Sequence, residues 1–139
     1  MNLKKAQKTL EKVTKKVVGL DFTFPMVNDH LEAKSSITMR DFDDEIYCQF
    51  RFYTDGLASY CFTFDKLEPS DSVFEMLNDF NSNVAFFKAY LEDGFLRVDH
   101  VCYEVDDKTL ESYTKGIFSQ LISDKTKSYL RPLAALTHR

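Results

Sequence analysis

Residues 45–64 read EIYCQFRFYTDGLASYCFTF, and this stretch decides the fold class. Apolar and polar side chains alternate on both sides of Asp55-Gly56, which is the pattern of a β-hairpin with one buried face. A two-residue loop would mix polar and apolar side chains on both faces. A three-residue loop at 54–56, with Gly56 in a G1 bulge, gives one clean apolar face. That predicted core face consists of Ile46, Cys48, Phe50, Phe52, Ala58, Tyr60, Phe62 and Phe64.

A second hairpin is predicted around Asp93-Gly94, between segments 84–91 and 95–105. Here a two-residue loop separates the faces, and Asp-Gly is a preferred pair for a type I′ turn. This register places Lys88 directly opposite Asp99, a favourable cross-strand ion pair. Its predicted core side consists of Ala85, Phe87, Ala89, Leu91, Leu96, Val98, His100 and Cys102.

The N-terminal part of the chain has a helical period followed by a strand period. Apolar residues at spacings of three and four predict a helix over 2–18, and Gly19 is a suitable helix stop. Residues 20–26 then alternate as an edge strand, because Pro25 cannot donate to a neighbouring strand. A turn is expected at Asn28-Asp29, and a weaker strand follows over 31–40.

Two further helices are predicted, one in the middle of the chain and one near its end. Ser70 suits the cap of a helix over 70–82, and an apolar stripe predicts the other over 107–128. A short tail, 129–139, follows, and Pro132 is expected to keep its start non-helical. The element order is therefore α-β-β-β-β-α-β-β-α. It predicts a single α+β domain over 1–139, whose antiparallel sheet spans 20–105 and carries the helices.

The net charge of −4 conceals an asymmetry along the chain. Residues 1–16 hold six lysines against Glu11, which leaves 12 basic and 21 acidic residues in the remainder. A basic helix can bind nucleic acid or acidic lipid. Alternatively, it lies against its own acidic domain, or its lysines solvate an outer face. We favour this second interpretation for one short basic stretch on an acidic protein.

The residue types that carry catalysis are dispersed. Cys48, Cys61 and Cys102 form no CxxC pair, which indicates free thiols in a reducing, cytoplasmic compartment. Asp99 precedes His100 in a strand, so the two side chains point to opposite faces and cannot form a catalytic pair. The sequence has no nucleophile motif, P-loop or zinc motif, and no apolar run long enough to span a membrane. We expect no enzyme activity, no metal and no cofactor.

The second face of the predicted sheet is the candidate binding surface. Aromatic side chains and arginines are enriched where proteins contact partners. Alternatively, a helix of the same chain covers this face. The predicted partner-binding residues are Tyr47, Arg51, Tyr53, Phe86, Tyr90, Arg97 and Tyr103, together with Val101.

One segment carries a family resemblance. The helix end Leu77-Asn78-Asp79-Phe80-Asn81, followed by the strand and Asp-Gly turn of residues 86–94, resembles YbjN-type bacterial domains. These domains, labelled sensory transduction regulators, are similar in fold to type III secretion chaperones. The resemblance covers about residues 20–130. It implies a small, acidic, cytoplasmic homodimer that binds an extended segment of a partner protein in a chaperone-like or regulatory role.

Nucleic-acid binding through the lysine-rich first helix is the alternative function. Because the acidic remainder of the chain repels polyanions, we rank it below protein binding.

Overall fold

The computed structural model describes residues 1–18, 21–27, 29–42 and 44–137. The helices are α1 (Leu3–Val13), α2 (Asp71–Asn83), α3 (Leu110–Leu121) and α4 (Asp124–Ala135), and a π-helical turn (Thr14–Val18) extends α1. The strands are β1 (Met26–Val27), β2 (His30–Met39), β3 (Asp44–Tyr53), β4 (Ala58–Lys66), β5 (Lys88–Glu92) and β6 (Phe95–Cys102).

The strands form one sheet in the order β1-β2-β3-β4-β6-β5, and every neighbouring pair is antiparallel. This confirms the predicted α+β class. The predicted element order is also found, except that the C-terminal helical region consists of two helices. β6 lies between β4 and β5, so the second hairpin joins the first through β6 and places β5 at the edge.

Both hairpin registers agree with the alternation in the sequence. Phe50 pairs with Tyr60, which leaves a three-residue loop, and Gly56 adopts a φ of +96° as a G1 bulge requires. In the second hairpin Lys88 pairs with Asp99. Asp93 and Gly94 have φ values of +53° and +83°, as a type I′ turn requires at its two central residues.

The hydrophobic core lies between one face of the sheet and the helices. Burial alternates along β4, and the buried side belongs to the same cluster as the apolar faces of all four helices. The ring of Phe118 in α3 lies 5.8 Å from that of Phe50 and 6.0 Å from that of Phe62. All helical packing in the described residues is therefore on this face, and the other face is left without a helical layer.

The C-terminal region differs from the prediction of one helix over 107–128 and a non-helical start to the tail. α3 ends at Leu121, Ser123 caps a new helix by accepting from the Thr126 amide, and α4 continues to Ala135 with Pro132 inside it. Proline removes one helical hydrogen bond. Leu130 and Leu133 are both fully buried in the core, and this burial offsets the loss.

The first predicted strand is also shorter than its pattern indicates. Within 21–25 only Thr23 bridges to Lys34, and regular pairing begins at Met26, after Pro25. Pro25 contributes its carbonyl oxygen, which accepts from the Glu32 amide at 3.1 Å. The predicted helix stop at Gly19, the turn residue Asn28 and the last two residues of the tail lie outside the described residues.

Candidate functional site: the open face of the sheet

The open face is the sheet surface opposite the helices. It presents alternate residues of β2 to β6, including Tyr47, Arg51 and Tyr53 of β3. Tyr47 is 39% exposed although strands pair with it on both sides, and Val101, near the end of β6, is 46% exposed. In the part of the chain that the structure describes, no helix packs on this face. Its aromatic and arginine side chains are available to a partner.

Most of the predicted binding residues share this face. Tyr47, Arg51 and Tyr53 lie on β3, Tyr90 on β5 and Arg97 on β6, and the pairing of neighbouring strands brings them into one surface. Tyr103 follows the last residue of β6 and is 75% exposed at the end of the sheet.

The placement of Phe86 was predicted wrongly. β5 begins at Lys88, so strand alternation does not reach residue 86. The Phe86 ring instead stacks on the His100 imidazole, with centroids 4.2 Å apart and planes 5° apart, and its carbonyl oxygen lies 2.6 Å from His100 Nδ1. Because His100 is on the helix-covered side, Phe86 belongs to the margin of the core and not to the open face.

A cluster of charged residues at the β2–β3 side of the open face was missed by the sequence analysis. Glu32 is only 6% exposed, and its Oε1 atom lies 3.0 Å from His30 Nε2 and 3.4 Å from Arg51 Nε. Its other oxygen, Oε2, lies 3.0 Å from Lys34 Nζ. The His30 ring also stacks on Tyr53, with centroids 4.9 Å apart. The alternation of His30, Glu32 and Lys34 along β2 was the signal available in the sequence.

These contacts fix the charge of Glu32. Burial by itself raises the pKa of Glu32, but the hydrogen bond from His30 and the contact with Lys34 outweigh it and lower the pKa to about 2. The same contact raises the pKa of Lys34. At neutral pH Glu32 is therefore ionised, and the cations Lys34 and Arg51 beside it neutralise its charge. It holds β2 to β3 and orients the Arg51 guanidinium.

A second set of polar contacts lies at the β6–β5 side. The Tyr90 hydroxyl donates to Asp99 at 2.8 Å, and Arg97 Nη1 donates to Glu92 at 3.2 Å. Burial, together with the hydrogen bond to Asp99, raises the pKa of Tyr90. Asp99 therefore accepts a hydrogen bond from a tyrosine of β5. It also lies opposite Lys88 in the pairing of β5 with β6. The hydroxyl is held against the sheet while the tyrosine ring stays part of the surface.

A groove of about 700 Å³ lies on the same face and is lined by residues of β2, β3, β4 and β6. Tyr47, Phe95 and Arg97 give it two aromatic walls and a guanidinium, and the Arg97 Nε atom is buried without a hydrogen-bond partner. The groove is completed by Ser36, Glu45, Gln49, Thr63, Phe64 and Asp65.

The cysteines do not assemble into a reactive centre. Cys48 is buried in the core, Cys61 faces the open side, and the Cys102 thiol donates to the Ala58 carbonyl oxygen at 3.8 Å. Burial raises the pKa of all three thiols, whereas a nucleophilic cysteine needs a lowered pKa. Within the described ranges, no group of three or more His, Cys, Asp or Glu side chains is arranged to hold a metal ion.

His100 is held as a structural residue by groups on two other elements. Its Nδ1 faces the Phe86 carbonyl oxygen and therefore donates to it, which leaves Nε2 to accept from the Tyr113 hydroxyl at 2.8 Å. Asp99, its neighbour in sequence, bonds Tyr90 on the opposite face. Both ring nitrogens are thus engaged in bonds that fix residues 84–87 and α3 to the sheet.

Comparisons with known proteins do not assign the chain to a family. No family model matches it, and no curated protein is significantly similar to it in sequence. None of the described helices is both long enough and apolar enough to cross a membrane. The open face is therefore the feature from which function is inferred.

Proposed function

We propose that this chain is a non-enzymatic protein-binding module that holds an extended segment of a partner protein on its open face. The single observation that carries the proposal is the position of Tyr47, Arg97 and their neighbours on a sheet face without a helical layer. Aromatic residues and arginine are the types that dominate the binding energy at protein interfaces.

The chemistry of the groove favours a polypeptide segment. Tyr47 and Phe95 supply flat apolar walls, Glu45 and Asp65 supply acceptors, and the partly exposed Arg97 guanidinium supplies donors. An extended chain presents amide donors and carbonyl acceptors at regular intervals, with side chains between them. Such a ligand can accept hydrogen bonds from the Arg97 guanidinium with its carbonyl oxygens and pack its side chains against the aromatic rings.

The balance of charge on the open face also supports a protein partner. Arg51 lies beside Glu32, Arg97 beside Glu92, and the Asp99 carboxylate accepts from Tyr90. A surface whose charges are largely neutralised internally attracts neither polyanions nor polycations over a long range. Affinity would then come from the aromatic rings and from local hydrogen bonds.

The resemblance to YbjN-type domains adds a role and an assembly state to this proposal. It supports a chaperone-like or regulatory function in a bacterial cytoplasm and a homodimer. The three free thiols, Cys48, Cys61 and Cys102, agree with a reducing compartment. The homodimer rests on the resemblance alone, so light scattering at micromolar concentration tests it separately from ligand binding.

A displayed library of random linear peptides is the direct test. Peptides enriched on the wild-type chain are synthesised, and their affinity is measured by fluorescence anisotropy. We expect Tyr47→Ala and Tyr103→Ala each to weaken binding by about tenfold or more, because both rings are exposed and make their contacts in the complex. Since neither side chain is buried, both variants should unfold at the wild-type temperature.

Phe74→Ala is the matched control, because Phe74 is an exposed aromatic residue on α2, away from the open face. It should leave peptide affinity unchanged. The proposal fails if no peptide is enriched over an unrelated bait. It also fails if the enriched peptides bind Tyr47→Ala and Tyr103→Ala as tightly as wild type, or lose affinity for Phe74→Ala.

A further inference from the structure

The six lysines of the first helix form one continuous surface. At about 100° per residue, the four lysines of α1 (Lys4, Lys5, Lys8 and Lys12) fall within an arc of about 100°. Lys15 and Lys16 follow in the π-helical turn and are also exposed, and we call these six residues the lysine face. The buried stripe of Ala6, Leu10 and Val13 lies directly opposite. The fold therefore turns every one of these lysines away from the core.

The lysine face is not neutralised by the rest of the protein. All six side chains are exposed, and Lys12 is the one that forms an ion pair within 4.0 Å in the described ranges, with Glu111 of α3 at 3.1 Å. The carboxylate of α1 itself, Glu11, accepts from Gln7 at 3.0 Å. Of the two alternatives in the favoured interpretation, contact with the acidic domain is found at Lys12. The other five lysines lie on an exposed outer face, as the second alternative predicts.

Three acidic residues of the helical layer lie on α2, whereas Glu111 lies on α3 beside α1. α2 carries Asp71, Glu75 and Asp79 with no lysine or arginine, and it packs on α4, whereas α1 packs on α3. A flat anionic membrane laid on the helical layer would meet α2 as well as α1. A linear polyanion that runs along α1 meets the lysine face and avoids α2.

We propose that the lysine face binds the phosphate backbone of duplex nucleic acid without sequence preference, an activity separate from that of the open face. The 11 residues of α1 extend over about 16 Å at 1.5 Å per residue, and the π-helical turn that carries Lys15 and Lys16 lengthens this surface. A duplex presents one phosphate charge per ~1.7 Å of its axis. Lysine contacts phosphate as a point charge, whereas bidentate base recognition uses arginine, asparagine or glutamine.

Two further features of α1 favour a duplex over the other polyanions. Single-strand binding depends on exposed aromatic residues on which bases stack, and the exposed residues of α1 are lysines, Asn2 and Glu11. A helix that attaches to a membrane inserts an apolar face into the lipid, but Ala6, Leu10 and Val13 are already buried in the core.

Fluorescence anisotropy with a labelled DNA duplex of mixed sequence tests the proposal on the full chain. Binding should weaken steeply as salt rises from about 50 to 200 mM, because each phosphate contact releases condensed counterions. The triple variant Lys4→Gln/Lys8→Gln/Lys15→Gln should bind at least about tenfold more weakly at low salt. Its slope of log affinity against log salt should be shallower by about 2 to 3.

The control is a second triple variant, Lys66→Gln/Lys88→Gln/Lys125→Gln, which removes the same charge from exposed lysines outside α1. It should retain most of the affinity and the full salt slope, and Tyr47→Ala should bind the duplex as wild type does. Circular dichroism melts confirm that each variant is folded.

Three outcomes would overturn the proposal. The first is the absence of binding to the duplex at low salt. The second is an equal loss in the two triple variants, which would indicate net charge and not the lysine face. The third is binding to a single-stranded oligonucleotide or to phosphatidylserine vesicles with no binding to the duplex. None of these outcomes depends on whether the open face binds peptides.

Discussion

The carboxamide of Asn81 is bonded to the backbone of Ala89 at two points. Asn81 Nδ2 donates to the Ala89 carbonyl oxygen at 2.9 Å, and the Ala89 amide donates to Asn81 Oδ1 at 2.8 Å. Ala89 lies in β5, the edge strand. The Asn81 side chain therefore makes the two hydrogen bonds that a further strand would make with Ala89. This gives a physical role to the asparagine that ends the Leu77-Asn78-Asp79-Phe80-Asn81 segment: it joins the end of α2 to the sheet and protects the edge.

Replacing Asn81 by alanine should destabilise the fold and expose the β5 edge. Two hydrogen bonds are lost and a backbone donor and acceptor at Ala89 are left open, so we expect a loss of about 1–3 kcal/mol in the free energy of unfolding. Urea denaturation measures this loss, and light scattering of the folded variant at increasing concentration measures self-association through the freed edge. Asn78→Ala is the control, since Asn78 is exposed on the same helix. An equal loss of stability in Asn78→Ala would show that the two hydrogen bonds of Asn81 do not account for the effect.

The sheet could be predicted because its determinants are local. The alternation on either side of Gly56, and the Asp-Gly pair at residue 93, fix the register by burial and by turn geometry. Residues whose placement depends on tertiary contacts could not be predicted in this way. Phe86 leaves the strand pattern to stack on His100, and Pro132 stays helical because the leucines beside it are buried. The residues next to Phe86 in the sequence do not indicate that it stacks on His100. Those around Pro132 do not indicate that the leucines are buried.

The candidate site was predictable to the extent that it depends on alternation alone. The placement of Tyr47, Arg51 and Arg97 on the open face could be predicted from the alternation of apolar and polar residues along their strands. The Glu32 cluster did not, since β2 has a weak apolar pattern and its pairing with β3 was not assigned. Once Glu32 is paired with Arg51, the alternation of His30, Glu32 and Lys34 explains why a carboxylate with so little exposure remains charged.

The stability of the fold should depend on Glu32 between about pH 4.5 and pH 2. The folded-state pKa of about 2 lies below the ordinary value of 4.5, so the ionised carboxylate stabilises the fold above pH 4.5, and this contribution is lost as the pH falls towards 2. At neutral pH we expect Glu32→Gln to lower the free energy of unfolding by about 2 kcal/mol. Urea titrations across this pH range measure the difference between the two proteins, which should shrink as the pH falls.

Glu45→Gln provides the control for this pH dependence, because Glu45 is an exposed carboxylate on the same sheet face. At neutral pH the Glu45→Gln protein should not show the loss in the free energy of unfolding that is expected for Glu32→Gln. A constant difference between wild type and Glu32→Gln from pH 7 down to pH 2 would show that the carboxylate is not selectively stabilised in the folded state.

A buried hydrogen bond between β4 and α3 should give a measurable coupling energy. Tyr60 and Thr114 are fully buried, and their hydroxyl oxygens are 2.9 Å apart. Thr114→Val leaves the tyrosine hydroxyl buried without its partner, so we expect a loss of about 1–3 kcal/mol. Tyr60→Phe should cost about 1 kcal/mol, and the double variant should lose less than the sum by about 1 kcal/mol. Additive losses in urea denaturation would mean that the two hydroxyls do not stabilise each other.

Replacement by alanine should raise the stability of the fold at one glycine and lower it at two others. Gly116 lies in α3 with nothing within 4 Å of an added Cβ, so Gly116→Ala should stabilise the fold by about 0.5–1 kcal/mol. Gly94 has equal space but a φ of +83°, and its alanine variant should lose about 1 kcal/mol or more. At Gly56 the φ of +96° is combined with a Cβ only 3.2 Å from the Val105 carbonyl oxygen, so the loss should be the largest of the three. Thermal unfolding ranks the variants, and a Gly56→Ala protein as stable as Gly94→Ala would contradict the close approach of residue 105 to the first hairpin.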